Sequence, residues 1–149
     1  MNFLRSTLVA FLCLIPLSLP GAESVLGKWI TGGGKSVVEI AASPDGSLSG
    51  RIVSLKEPLY VDPKKGPVGT PKVDHHNPDP SLRSRFVLGL KILDGFTATG
   101  EGLWEKGTIY DPESGKTYQC RMKLTAKDRL EVRGFIGISL LGRTTVWTR

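Results

Sequence analysis

Side chains that switch between apolar and polar at every second residue, in stretch after stretch, restrict this chain more than any other feature. Such a period of two belongs to strands with one buried face, and helical periodicity is missing. The clearest stretch is Thr117-Tyr-Gln-Cys-Arg-Met-Lys-Leu124. Tyr118, Cys120, Met122 and Leu124 fall on one face, Gln119, Arg121 and Lys123 on the other. Leu130 and Val132 continue the pattern against Glu131 and Arg133, after a hairpin-length connection at residues 126–128. Further strands are predicted near 26–30, 36–42, 48–55, 86–93, 103–110 and 143–148, which makes eight. Turn chemistry separates them: Gly32-Gly-Gly34, Pro44-Asp-Gly46, Asp94-Gly95 and Asp111-Pro-Glu-Ser-Gly115.

Short strands at near-even spacing predict an all-β fold, an antiparallel up-and-down meander. Eight strands can close into a barrel, which removes exposed edges; an open sandwich is the alternative. Gly50, Gly89 and Gly134 are where such a sheet could bend. One connection differs. Residues 56–84 hold Pro58, Pro63, Pro67, Pro71, Pro78 and Pro80, which exclude regular helix and central strand. Loops this long are commonly functional lids or disordered excursions, and the residues leave both open.

The N-terminus has another character. Arg5 precedes an apolar run over 7–19, broken by Pro16 and Pro20 and followed by Gly21, Ala22 and Ser24. That order predicts a signal peptide over 1–22, cleaved after Ala22 or Ser24, in a chain bound for the periplasm or the exterior. The run is too short for a membrane span of about 20 apolar residues. Cys13 would leave with it, and Cys120 alone cannot form an internal disulfide, so the domain over 25–149 must stand on its core. Losing Arg5 from a net charge of +6 leaves +5. The charge is spread along the chain without a basic run flanked by aromatics, which argues against nucleic acid.

Catalytic chemistry finds few candidates. Asp74-His75-His76-Asn77 is the only histidine cluster. Neighbouring side chains in an extended segment point apart, whereas a metal needs three or four converging ligands. Asp74, His75 and His76 are therefore candidates for solvated loop residues first, and no metal or cofactor is expected. Cys120 shares the parity of Tyr118 and Met122, so it reads as a small buried hydrophobe, not a nucleophile. No serine sits in a strand-to-helix elbow. The chain reads as a binding protein, not an enzyme. Its interior offers Trp104 and Tyr110, which share parity on one strand, and Tyr118 and Met122 on the next. These four are the candidate ligand wall, and they could equally be plain core.

Three motifs carry a family resemblance: Gly27-Lys-Trp29, Asp111-Pro-Glu-Ser-Gly-Lys-Thr-Tyr118, and the ending Val132-Arg-Gly-Phe-Ile-Gly-Ile-Ser-Leu-Leu-Gly-Arg-Thr-Thr-Val-Trp-Thr-Arg149. Over essentially all of 25–149 the chain resembles the bacterial family called domain of unknown function 2147, small exported proteins. The resemblance implies a lipocalin-like barrel whose Gly-x-Trp tryptophan closes one end beneath a late arginine. Trp29 would be that plug, and Arg143 or Arg149 its cation–π partner. Many relatives carry a Cys-x-x-Cys pair in the loop after the third strand; this chain has Asp62-Pro-Lys-Lys-Gly-Pro67 there, which removes any role tied to that pair. The expected function is binding of a small apolar or amphipathic molecule, with an anionic head group favoured by the basic charge. A filled barrel acting as a protein-interaction module of the bacterial envelope is the alternative.

Overall fold

The computed structural model describes residues 25–149, so the signal peptide and its cleavage site lie outside the described residues. Alternation becomes strand wherever it was strongest. The strands are β1 (Gly27–Ile30), β2 (Ser36–Ala42), β3 (Leu48–Leu55), β4 (Lys91–Gly100), β5 (Leu103–Asp111), β6 (Lys116–Ala126), β7 (Arg129–Phe135) and β8 (Arg143–Thr148). Each pairs antiparallel with the next, and β8 returns to β1, closing an eight-stranded up-and-down barrel. The sandwich alternative is excluded by that closure. The seam is thin: Ile30 opposite Thr148 is the only paired position between β1 and β8 among the described residues.

One strand departs from expectation. The fourth runs over Lys91–Gly100 and not 86–93, because Asp94-Gly95 is not a hairpin turn. Between Leu48↔Phe96 and Gly50↔Leu93, β4 advances three residues while β3 advances two. Gly95 takes a φ of 73°, so the pair forms a bulge inside a continuing strand. A left-handed glycine serves turns and bulges alike, and only the partner strand distinguishes them.

A second bulge matters more for the site. Between Trp104↔Met122 and Gly107↔Cys120, β5 again advances three residues against two. Lys106 absorbs the extra residue with a φ of 64°. The inward face therefore passes from Trp104 to Gly107 and Ile109, and Tyr110 falls on the opposite face. Shared sequence parity between Trp104 and Tyr110 does not survive the bulge.

The two ends of the barrel are built differently. Trp29, Phe96, Trp104, Met122 and Leu130, all essentially inaccessible, fill the end where the chain reverses at 43–47, 101–102 and 127–128. At the other end β4 begins late. Lys91 pairs with Arg51 and Leu93 with Ile109, leaving the last residues of β3 and β5 without a β4 neighbour. The end of the long connection, residues 87–90, fills that gap in the wall, and Val87 N–H to Lys72 O (3.0 Å) ties the Pro-rich segment to it. Ile52 N–H donates to Leu90 O (3.0 Å), and Gly89 N–H to Ile52 O (2.8 Å). The segment is thus a built part of the barrel.

Candidate functional site

The gap in the wall becomes a site because the packed core stops halfway up the barrel. Above it lies a cavity of about 1360 Å³ that opens at the end opposite Trp29. Its apolar wall includes Ile52, Ile92, Ile109, Tyr118, Val132 and Trp147, one from each of β3 to β8. Ile52, Ile92, Ile109 and Tyr118 are inward positions toward the mouth, whereas Trp147, opposite Leu130, forms part of the floor where the packed core begins. Gly134, at the same level, lets the Ile109 and Tyr118 side chains close over it: a Cβ there would lie 3.4 Å from Ile109 Cγ2.

The rim is polar and basic. Lys35, Lys56, Lys64, Lys65, Lys72 and Arg143 line it, against Glu57, Asp111 and Glu113. Lys35 pairs with Glu113 (3.0 Å) and Lys72 with Glu57 (3.6 Å). Asp111 is occupied with its own turn, accepting from Glu113 N–H (3.0 Å) and the Ser114 hydroxyl (2.6 Å). Lys56, Lys64, Lys65 and Arg143 remain in excess around the opening.

One side of the mouth is held by a buried carboxylate. Asp74 is fully inaccessible, and it accepts from the Tyr110 hydroxyl (2.5 Å), Asn77 Nδ2 (2.8 Å) and Arg85 Nε (3.1 Å). Arg85 also ion-pairs with it (3.0 Å). Here the β5 bulge shows its purpose: it turns Tyr110 to the face the Pro-rich segment covers. Burial, then the bond and charge of Asp74, push the Tyr110 phenol up to about 12 from its ordinary 10.0. Nearby, the segment presses against the β5–β6 turn so closely that a Cβ on Gly115 would collide with the His76 carbonyl oxygen. Only glycine fits there, the more so as Gly115 has a φ of 70°.

The expected site residues separate into three groups. Tyr118 and Tyr110 line the cavity, Tyr110 from the rim. Trp104 and Met122 do not line it; they are buried in the packed end, and the Trp104 indole N–H has no hydrogen-bond partner. Of the two plug candidates, Arg149 lies over Trp29, with Cζ 4.2 Å from the ring centroid. Arg143 is at the opposite mouth, paired with Gly134 on β7. Arg149 also donates to Leu26 O (3.1 Å) and Lys127 O (2.8 Å), tying the thin β1–β8 seam to the β6–β7 turn. Trp29 Nε1–H donates to Val25 O (2.8 Å).

The histidine pair does not converge on a metal. His75 Nδ1 lies 3.2 Å from the Tyr60 hydroxyl, and the two imidazoles do not point apart as expected but lie tilted by 42° with centroids 3.8 Å apart. Among the described residues no group of three His, Cys, Asp or Glu side chains could hold an ion. Cys120 is buried, and desolvation pushes its thiol up to about 12 from 9.0, away from the thiolate a nucleophile needs. Side-chain parity misses Lys64, Lys65 and Tyr60, because loop residues carry no period; the lysines at 56, 64, 65 and 72 signal the first two, and nothing local signals Tyr60.

A closed eight-stranded meander, plugged at one end by Trp29 and Arg149 and hollow at the other, defines a lipocalin-like barrel. The chain belongs to the family described as "Uncharacterized protein conserved in bacteria (DUF2147)", whose profile matches residues 27–149. Among solved structures it is similar to protein HP1028 from Helicobacter pylori, which is described as belonging to the lipocalin family. The two share 25% identity with a TM-score of 0.69, over 83% of this chain and 81% of that one. A search of the curated proteins found no match. No helix among the described residues is long and apolar enough to cross a membrane.

Proposed function

We propose that this chain is an exported binding protein of the bacterial envelope that holds one small amphipathic molecule. The apolar tail lies in the barrel and an anionic head rests among the rim lysines. The observation that carries this reading is the cavity of about 1360 Å³, apolar inside and basic at its opening. Small-molecule sites typically span about 300–1,000 Å³, so a long-chain ligand fits with room left at the mouth. The lipocalin likeness supports binding as the class of function, and the buried states of Asp74 and Cys120 favour it over catalysis. A barrel acting only through its outer surface has less support, since the mouth half of the interior is open. Tyr118, Tyr110 and the lysines Lys64 and Lys65 are the proposed ligand contacts.

Displacement of a fluorescent fatty-acid analogue by unlabelled long-chain carboxylates tests the reading, together with native mass spectrometry. One probe should bind per chain, and Tyr118→Ala should weaken it about tenfold, or ~1.4 kcal/mol. A chain that binds no probe and flies without any adduct would refute the proposal.

A further inference from the structure

The connection between β7 and β8 is unusual for what it leaves in water. Ile136, Ile138, Leu140 and Leu141 are 72%, 60%, 83% and 77% exposed, within six consecutive residues. Scattered surface aliphatics need no explanation, but a contiguous cluster of this kind marks a surface that something covers. The cluster is not a loop that failed to fold inward. Ser139–Leu141 forms a 3-10 turn, and the Arg133 guanidinium donates to Ser139 O (2.8 Å), Leu140 O (3.2 Å) and the Thr144 hydroxyl (2.8 Å). An apolar cavity lies alongside, lined in part by Ile136 and Leu141, yet Ile138 and Leu140 are held outside it.

Across the same opening stands a second prong. Residues 60–70 close on themselves through Tyr60 N–H to Thr70 O and Gly69 N–H to Tyr60 O, both 2.9 Å. That hairpin exposes Val61 (68%) and Val68 (60%) on either side of Lys64 and Lys65. Apolar tips and an excess of cations therefore share one end of the barrel. At the plugged end the reversals at 43–47, 101–102 and 127–128 carry no exposed large aliphatic among the described residues. This pairing of aliphatic side chains with surrounding lysines is the chemistry of a surface that lies on anionic lipid.

We infer that the mouth of the barrel docks on an anionic bilayer, with Ile138 and Leu140 entering the acyl region and Lys56, Lys64 and Lys65 meeting the headgroups. The cavity then faces the lipid, which gives an amphipathic molecule a path between bilayer and barrel without crossing water. Docking does not depend on the cavity ligand, so the two readings fail separately: one in vesicle binding, the other in probe displacement.

Flotation of the purified protein with phosphatidylglycerol and phosphatidylcholine vesicles tests the inference. Anionic vesicles should be bound at least about tenfold more tightly than neutral ones, and rising salt should release the protein. I138D/L140D should lose about tenfold or more in affinity while its circular dichroism and probe displacement stay unchanged. K64E/K65E should lose anionic binding through charge alone, leaving the aliphatic turn intact. All variants carry the same N-terminus, so differences between them report the mouth. Absence of binding to anionic vesicles, equal binding by I138D/L140D, or indifference to lipid charge would overturn the inference. So would a wild-type dimer that I138D/L140D dissociates in the absence of vesicle binding, because the patch would then join two copies of this chain.

Discussion

The two ends of this barrel are made from the same eight strands and do opposite things with them. At the plugged end, inward side chains are large, and Arg149 lies over Trp29 while holding the carbonyls of Leu26 and Lys127. At the mouth β4 has not yet begun, residues 89–90 at the end of the long connection stand in for it, and a cavity opens between the strands. Core density stabilises the first; the second spends that density on a cavity and exposes aliphatic residues. Stability should therefore be concentrated at one end and binding at the other.

The largest expected effect tests that division directly. Trp29→Ala should cost about 3–5 kcal/mol of unfolding free energy in urea, as removal of a fully buried aromatic does. Tyr118→Ala, at the cavity, should cost under about 1.5 kcal/mol. Equal losses at the two positions would erase the distinction.

Next in size is the latch at the mouth. Asp74→Asn removes the charge that Arg85 pairs with and turns one acceptor oxygen into an NH2 facing the Asn77 and Arg85 donors, at a cost of about 2 kcal/mol. Hydrogen exchange should place the loosening in residues 72–90 and leave the plugged end protected. If protection fell uniformly, the segment would be part of one cooperative core and not a separate wall.

Arg149→Ala should cost about 1–2 kcal/mol through the lost cation–π contact and the lost bonds to Leu26 O and Lys127 O, with probe affinity unchanged. A change in affinity would mean that the two ends communicate through the β1–β8 seam.

Alkaline pH gives the smallest signal. Tyr110 and Cys120 both hold their protons more tightly in the folded chain, each to about 12. The stability they carry is fully present below their ordinary values of 10.0 and 9.0, and is lost as pH rises through about 12. Urea midpoints from pH 8 to 12 should fall over that window, and Tyr110→Phe should make the fall shallower. A decline that begins below pH 8 would point to other groups.

Much of the architecture was legible from local pattern. Tyr118, Cys120 and Met122 share a buried-side parity, and seven of the eight strands form where alternation placed them. The failures are equally local in cause. Asp94-Gly95 has the chemistry of a turn and serves as a bulge, and the bulge at Lys106 separates Tyr110 from Trp104. A bulge is invisible in one strand, because it exists only as a mismatch with the partner's count.

By itself, then, the order of residues determined the number of strands and, outside the β5 bulge, their inward faces; Trp29 as the plug came from the family resemblance. Strand number and face follow from side-chain period and turn chemistry, which act over a few residues. Only the tertiary structure decided that the interior is filled at one end and open at the other, that Arg149 and not Arg143 covers Trp29, and that Asp74 binds Tyr110. A cavity is the space that distant segments fail to occupy, so no stretch of chain encodes it alone.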